Sequence, residues 1–115
     1  MRRGDLVAVA DRGGDYTGKP RPAVIVQSDD YPTTESVTIC PLSSFDVDAT
    51  LLRIPLQPDA ENGLAVRSFV MIDKITTVRR DRCARTIGRL TGADLEAFVR
   101  SLASFLAVPA ASRSA

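Results

Sequence analysis

Only one stretch of the chain carries a helical repeat. After Gly88, the residues Leu95, Phe98, Val99, Leu102, Phe105 and Leu106 recur at three- and four-residue spacing, the mark of an amphipathic helix. Thr91 stands where an N-cap belongs, with Asp94 three residues on as in a capping box, and Pro109 closes the pattern. A core built around a single helix has to be completed by strands, and the upstream sequence is punctuated accordingly. Residues 5–10, 23–27, 36–42 and 51–55 are short runs rich in Val, Ile and Leu, separated by Gly, Pro, Asp and Asn. Residues 59–63 read as a turn, and residues 64–78 supply one long or two short strands with a bend at Asp73-Lys74. Residues 11–19, with Gly13, Gly14 and Gly18 and no apolar period, read as an exposed, mobile loop. Five or six strands plus one helix predict a mainly β fold, a small barrel or rolled sheet covered by the C-terminal helix. At 115 residues this is one domain, taken as residues 1–108 with a disordered tail at 109–115.

Composition removes several chemistries. Histidine is absent, and with it the commonest general base, the Ser-His and Cys-His dyads and imidazole metal sites. Cys40 and Cys83 are too few for a disulfide framework or a four-thiolate zinc site and read as small buried apolar groups in a reduced cytoplasm. No apolar run approaches the roughly 20 residues that span a bilayer, and cytosolic residence is expected. The glycines match neither phosphate-binding nor dinucleotide-binding spacing, and Asp46 and Asp48 read as solvated loop carboxylates rather than magnesium ligands. No cofactor and no metal are expected.

The net charge of +1 conceals a bipolar chain. Residues 28–62 hold one base, Arg53, against seven acids, whereas residues 63–89 hold seven bases against Asp73 and Asp81. Thirteen of the 15 bases are arginine, whose planar fork suits phosphate, although a GC-rich genome would favour the same residue. Arg21 lies between Pro20 and Pro22 at the head of an apolar strand, where the following proline holds its backbone extended. Ser43-Ser44 ends another such strand. Spacing alone leaves two readings of these residues: a solvated edge and turn formers, or a guanidinium and hydroxyls presented at strand ends.

Taken in order, Arg3-Gly4-Asp5-Leu-Val, Gly18-Lys-Pro-Arg-Pro-Ala-Val-Ile-Val-Gln27, Pro41-Leu-Ser-Ser44, Asn62-Gly-Leu64, Ser68-Phe-Val-Met-Ile-Asp-Lys-Ile-Thr-Thr-Val78 and Ile87-Gly88 before a terminal helix resemble the MazF/PemK family of toxin endoribonucleases. The resemblance implies an SH3-like barrel forming a homodimer, which cuts single-stranded RNA, chiefly messenger RNA, at short motifs without metal, leaving a 2′,3′-cyclic phosphate and a 5′-OH. It also implies a cognate antitoxin with an acidic, partly disordered segment. The family's catalytic arginine falls on Arg21 and its catalytic threonine on Ser43, a departure that keeps the hydroxyl but loses the stiffness of a β-branched side chain. RNA contacts would fall on Lys19, Ser44, Ser68, Asp73, Lys74, Arg79 and Arg80, and Gly13, Gly14 and Tyr16 would belong to a gating loop. Lys74 stands where glutamine is frequent and Arg67 where aspartate is frequent. Tyr16 and Phe45 are the aromatics best placed to stack on bases. A guanidinium keeps its proton in proteins, so Arg21 is assigned to stabilising the charged phosphorane and Ser43 to the scissile phosphate. Two other functions remain open to the same fold: a CcdB-like gyrase poison, whose C-terminal tail carries a tryptophan that this chain lacks, and an RNA-binding barrel without catalysis.

Overall fold

The computed structural model describes residues 1–10, 20–45 and 52–107. The expected gating loop, with Gly13, Gly14, Tyr16 and Lys19, and the tail at 109–115 lie outside these residues. Within them the chain forms β1 (Asp5–Val9), β2 (Arg21–Ile25), β3 (Ser36–Ser43), β4 (Arg53–Leu56), β5 (Ser68–Met71), β6 (Thr76–Arg79), β7 (Cys83–Arg89) and α1 (Gly92–Leu106). The sheet runs β4-β5-β3-β2-β1-β7, with β6 also paired to β3, and every pairing is antiparallel. The long strand β3 makes this possible. Its first half pairs with β6 from Ser36 to Ile39 and its end pairs with β5 at Leu42 and Ser43. One strand therefore serves two sheets, and the layer rolls up around it.

Rolling buries both faces of the central strands. In β2 and the residue after it, Ala23 and Ile25 pack with Val7, Val37, Ile39 and Val78 on one side. Val24 and Val26 pack with Leu6, Cys40, Leu42, Leu56, Val70 and Phe98 on the other. That is why the run is apolar throughout instead of alternating. The helix closes the second cluster through Phe98 and Leu102, which are buried, and truncating a fully buried Phe98 to alanine would cost about 3–5 kcal/mol.

The motif blocks touch in space. A Cβ on Gly88 would sit 2.4 Å from the Glu61 carbonyl oxygen, and one on Gly63, whose φ is +68°, would sit 2.3 Å from that of Ile87. The 59–63 turn and β7 thus pack backbone to backbone, which only glycine allows. Asn62, buried, braces that turn by accepting from Asp59 N and Leu64 N and donating to the Gln57 carbonyl.

Three sequence expectations change. Strand β7 is absent from the sequence reading because three of the seven residues of Cys83–Arg89 are arginine or threonine and the strand lies at the sheet's edge with no residue fully buried, so it carries no apolar pattern. The capping box does not form: Thr91 is the N-cap, but its side chain makes no cap hydrogen bond and only its carbonyl accepts Asp94 N. The helix ends at Leu106, on a left-handed Ala107 with φ 45°, ahead of Pro109. The long segment resolves into two short strands, with a 3-10 turn over Ile72–Lys74 at the expected bend.

Candidate active site

Strand register brings the hydroxyl and the guanidinium together. Ala23 faces Pro41 and Val24 faces Cys40, and continuing that antiparallel register by two residues places Arg21, the first residue of β2, across from Ser43, the last of β3. On the other side of β3, Ser43 faces Phe69 and Leu42 faces Val70, which brings Ser44 opposite Ser68. Three neighbouring strand ends therefore present Arg21, Ser43 with Ser44, and Ser68 along one edge, about 4.8 Å apart from strand to strand. A cleft of about 430 Å³ opens there, lined by Arg21, Ser43, Ser44, Phe45, Val66 and Ser68 together with Pro22, Pro41, Leu42 and Met71.

Each hydroxyl has a different environment. The Ser43 Oγ accepts the Phe45 backbone N–H at 3.0 Å, so its hydrogen remains to be donated outward. Ser44 is exposed. Ser68 is 4% exposed and donates to the Val66 carbonyl at 2.9 Å, which leaves only acceptor capacity toward the cleft. Phe45, 77% exposed, stands at the rim as an uncovered aromatic face. Arg21 is exposed and forms no ion pair with a described acid.

The other sequence candidates lie elsewhere. Asp73 is bound by the Arg53 side chain, and neither it nor the exposed Lys74 walls the cleft. Arg79 faces Ser36 at the far end of β3, seven residues or about 23 Å of strand from Ser43. It pairs with Asp81 at 2.9 Å, and the pair holds the aspartate below and the arginine above its ordinary range. Arg80 donates to the Thr34 carbonyl at 2.6 Å and to its hydroxyl at 3.0 Å. Arg82 clamps the Ala10 carbonyl with two donors at 3.0 and 2.7 Å. Much of the basic segment is thus occupied with holding the fold.

Burial pushes the Cys40 thiol up to about 11 and raises Cys83 as well, against the opposing pull of Arg80 and Arg82. Neither thiol is a nucleophile at neutral pH. The residue that sequence reasoning noted only as a departure, Arg67, lies with its guanidinium carbon 4.8 Å from the centroid of the Phe69 ring. The signal was an arginine two residues before an aromatic, on the strand that faces Ser43. Among the described residues no three His, Cys, Asp or Glu side chains converge as metal ligands, and no helix is long and apolar enough to cross a membrane.

Residues 2–106 match the family described as PemK-like, MazF-like toxin of type II toxin-antitoxin systems. A protein of Mycolicibacterium smegmatis named probable endoribonuclease MazF is 46% identical over 108 residues, 94% of this chain and 98% of that one. The solved Mycobacterium tuberculosis toxin MazF-mt6 superposes with a TM-score of 0.71 at 24% identity, covering 93% of this chain and 99% of that one. A mycobacterial endoribonuclease solved in complex with its cognate antitoxin superposes with a TM-score of 0.73 at 22% identity, with 95% of each chain covered. These two share the rolled sheet and its terminal helix.

Proposed function

The chain belongs to the PemK-like, MazF-like family of type II toxin-antitoxin toxins, and from that premise we propose that its cleft cuts single-stranded RNA, messenger RNA included, at short sequence motifs. The observation that carries this reading is the placement of Arg21 across from Ser43 at adjoining strand ends on one open cleft. Cleavage is an internal transesterification. The substrate's 2′-oxygen bonds to phosphorus, the bond to the 5′-oxygen breaks, one proton leaves the 2′-OH and one arrives at the leaving oxygen. The products are a 2′,3′-cyclic phosphate and a 5′-OH, and the nucleophile comes with the substrate, so the step needs no metal-activated water.

What the protein must supply is alignment and charge. Arg21 stabilises the phosphorane as negative charge builds on its oxygens. Ser43, oriented by the Phe45 N–H, donates to the scissile phosphate and sets its position between the two strands. Serine in this place retains the donor. Phe45, with its ring uncovered, stacks on a flanking base, a contact of about 1–3 kcal/mol that suits unpaired RNA. The cognate antitoxin inserts an acidic, partly disordered segment into the same cleft and competes with RNA, and two copies of the chain pair as a homodimer, each contributing an Arg21 and a Ser43.

Incubating the purified protein with long RNA, with and without EDTA, tests the reading. We expect cleavage insensitive to EDTA, cyclic-phosphate ends, and complete loss of cutting at a position carrying 2′-deoxyribose. Intact RNA, or cutting that survives removal of the 2′-OH, would overturn it.

A further inference from the structure

We infer that Arg67 binds the phosphodiester next to the scissile one, and so governs how tightly RNA is held without entering the bond-breaking step. The inference rests on the endoribonuclease reading above and extends it to a residue outside the Arg21–Ser43 pair. Its basis is the cross-strand order of groups at the ends of β2, β3 and β5, beside the cleft, with Arg67 itself just outside the cleft lining. Ser43 faces Arg21 on β2 by continuation of the register, and Phe69 on β5 directly. Phe69 is 5% exposed and so fixed, and it carries the Arg67 guanidinium at 4.8 Å from its ring centroid. Arg21 on β2, Ser43 on β3 and Arg67 just ahead of β5 thus follow one another as cation, hydroxyl, cation. An extended polyanion crossing these ends meets Arg21 and Ser43 with one phosphate and Arg67 with a neighbouring one.

The local geometry keeps Arg67 available. It is exposed, and it forms no ion pair with any described acid. The adjacent Ser68 hydroxyl closes onto the Val66 carbonyl, tying the residues on either side of Arg67 to one another. A guanidinium laid on an aromatic ring leaves its N–H edge uncovered for a two-pronged phosphate contact. Less side-chain freedom is then lost on binding, because the ring already restrains the arginine.

The test separates holding from cutting. RNA carrying a 2′-O-methyl group at the mapped cleavage position binds without being cut, and its affinity is measured against salt by fluorescence anisotropy. Arg67→Gln should weaken binding about 5- to 10-fold at low salt and lower the slope of log affinity against log salt by about 0.7, one phosphate contact on a single strand. On unmodified RNA, KM should rise by the same factor while kcat moves less than about 2-fold. Phe69→Leu should keep the slope but lose part of the affinity, because the cation stays and its platform goes. An unchanged slope in Arg67→Gln, or a fall in kcat at constant KM, would overturn the inference. Wild-type protein that binds a uniformly 2′-O-methylated RNA yet leaves the unmodified RNA intact would instead refute the endoribonuclease reading, and the Arg67 slope on that RNA would still decide the contact.

Discussion

Two clefts of similar volume, about 430 and 400 Å³, open beside opposite ends of β3, and both contain arginine. At the first, Arg21 forms no ion pair with a described acid, and neither does Arg67, which lies just ahead of β5 and outside the cleft lining. At the second, lined by Thr33, Thr34, Glu35, Arg79, Arg80 and Asp81, the cations are engaged: Arg79 with Asp81 and Arg80 with Thr34. Counting bases in the sequence points toward the second cleft, since four of the seven bases of residues 63–89 fall at 79, 80, 82 and 85, although only Arg79 and Arg80 of these line it. Counting uncompensated donors favours the first. An anion site is defined by charge that the fold has not already neutralised, and the two counts part company here.

The largest effect expected from this contrast is at Arg21. Arg21→Ala should reduce RNA cleavage by a factor of about 100 or more, the scale of losing one preorganised donor to a charged transition state. The exposed side chain holds no core contact, so circular dichroism and the melting temperature should be those of the parent. A variant that cuts RNA at the parental rate would break the comparison at its stronger end.

Next comes the hydroxyl. Ser43→Ala should lower cleavage about 10-fold or more, Ser44→Ala less, and Ser43→Thr should keep most of the activity, because the Phe45 N–H orients an oxygen at position 43 alone. The reverse ranking in single-turnover assays would move the donor to Ser44. A different readout applies at Arg82, which lines neither cleft. Its two bonds to the Ala10 carbonyl join the start of β7 to the end of β1, so Arg82→Ala should cost about 1–2 kcal/mol of stability, seen as a lower urea midpoint with cleavage per folded molecule retained. Loss of activity at full stability would reassign Arg82 to substrate.

How much of this was legible beforehand differs by element. Strand β2, buried on both faces, announces itself by an unbroken apolar run and β3 by alternating polar and apolar residues, although β2 begins at Arg21, two residues earlier than the run suggests, because ladder bonds to β1 extend past the buried residues. The edge strand β7 left no apolar pattern, since its pairing with β1 is made by backbone and only Cys83 and Ile87 pack on the core, while Ala84, Arg85 and Thr86 are exposed. The helix was clear, but its stripe is wider than its contact: Val99, Phe105 and Leu106 remain 39–47% exposed. Within the proposed site, motif alone singles out Arg21 and Ser43, and the register of β2 against β3 sets them side by side. The state of the remaining arginines was hidden, because an ion pair between residues two apart or a clamp on a carbonyl 72 residues away depends on where turns and strand ends meet in space.

The smallest effect is the one that tests the contrast most sharply. Arg79 and Asp81 are 63% and 65% exposed, and together they present nearly no net charge beyond a Debye length, about 10 Å at 0.1 M salt. The pair also lies about 23 Å of strand from Ser43. Arg79→Gln should therefore change RNA affinity less than about 2-fold, although it removes the same formal charge as Arg67→Gln. Asp81→Asn should act in the opposite sense: releasing Arg79 from its partner adds an uncompensated cation to the surface, so affinity should rise slightly and its salt dependence steepen. Measured side by side at several ionic strengths, the Arg67 and Arg79 variants hold composition and net charge constant and differ in whether the fold had already neutralised the arginine and in its distance from Ser43. Equal losses at the two positions would mean that bulk charge rather than local compensation draws RNA to this surface, and the distinction between the clefts would fall.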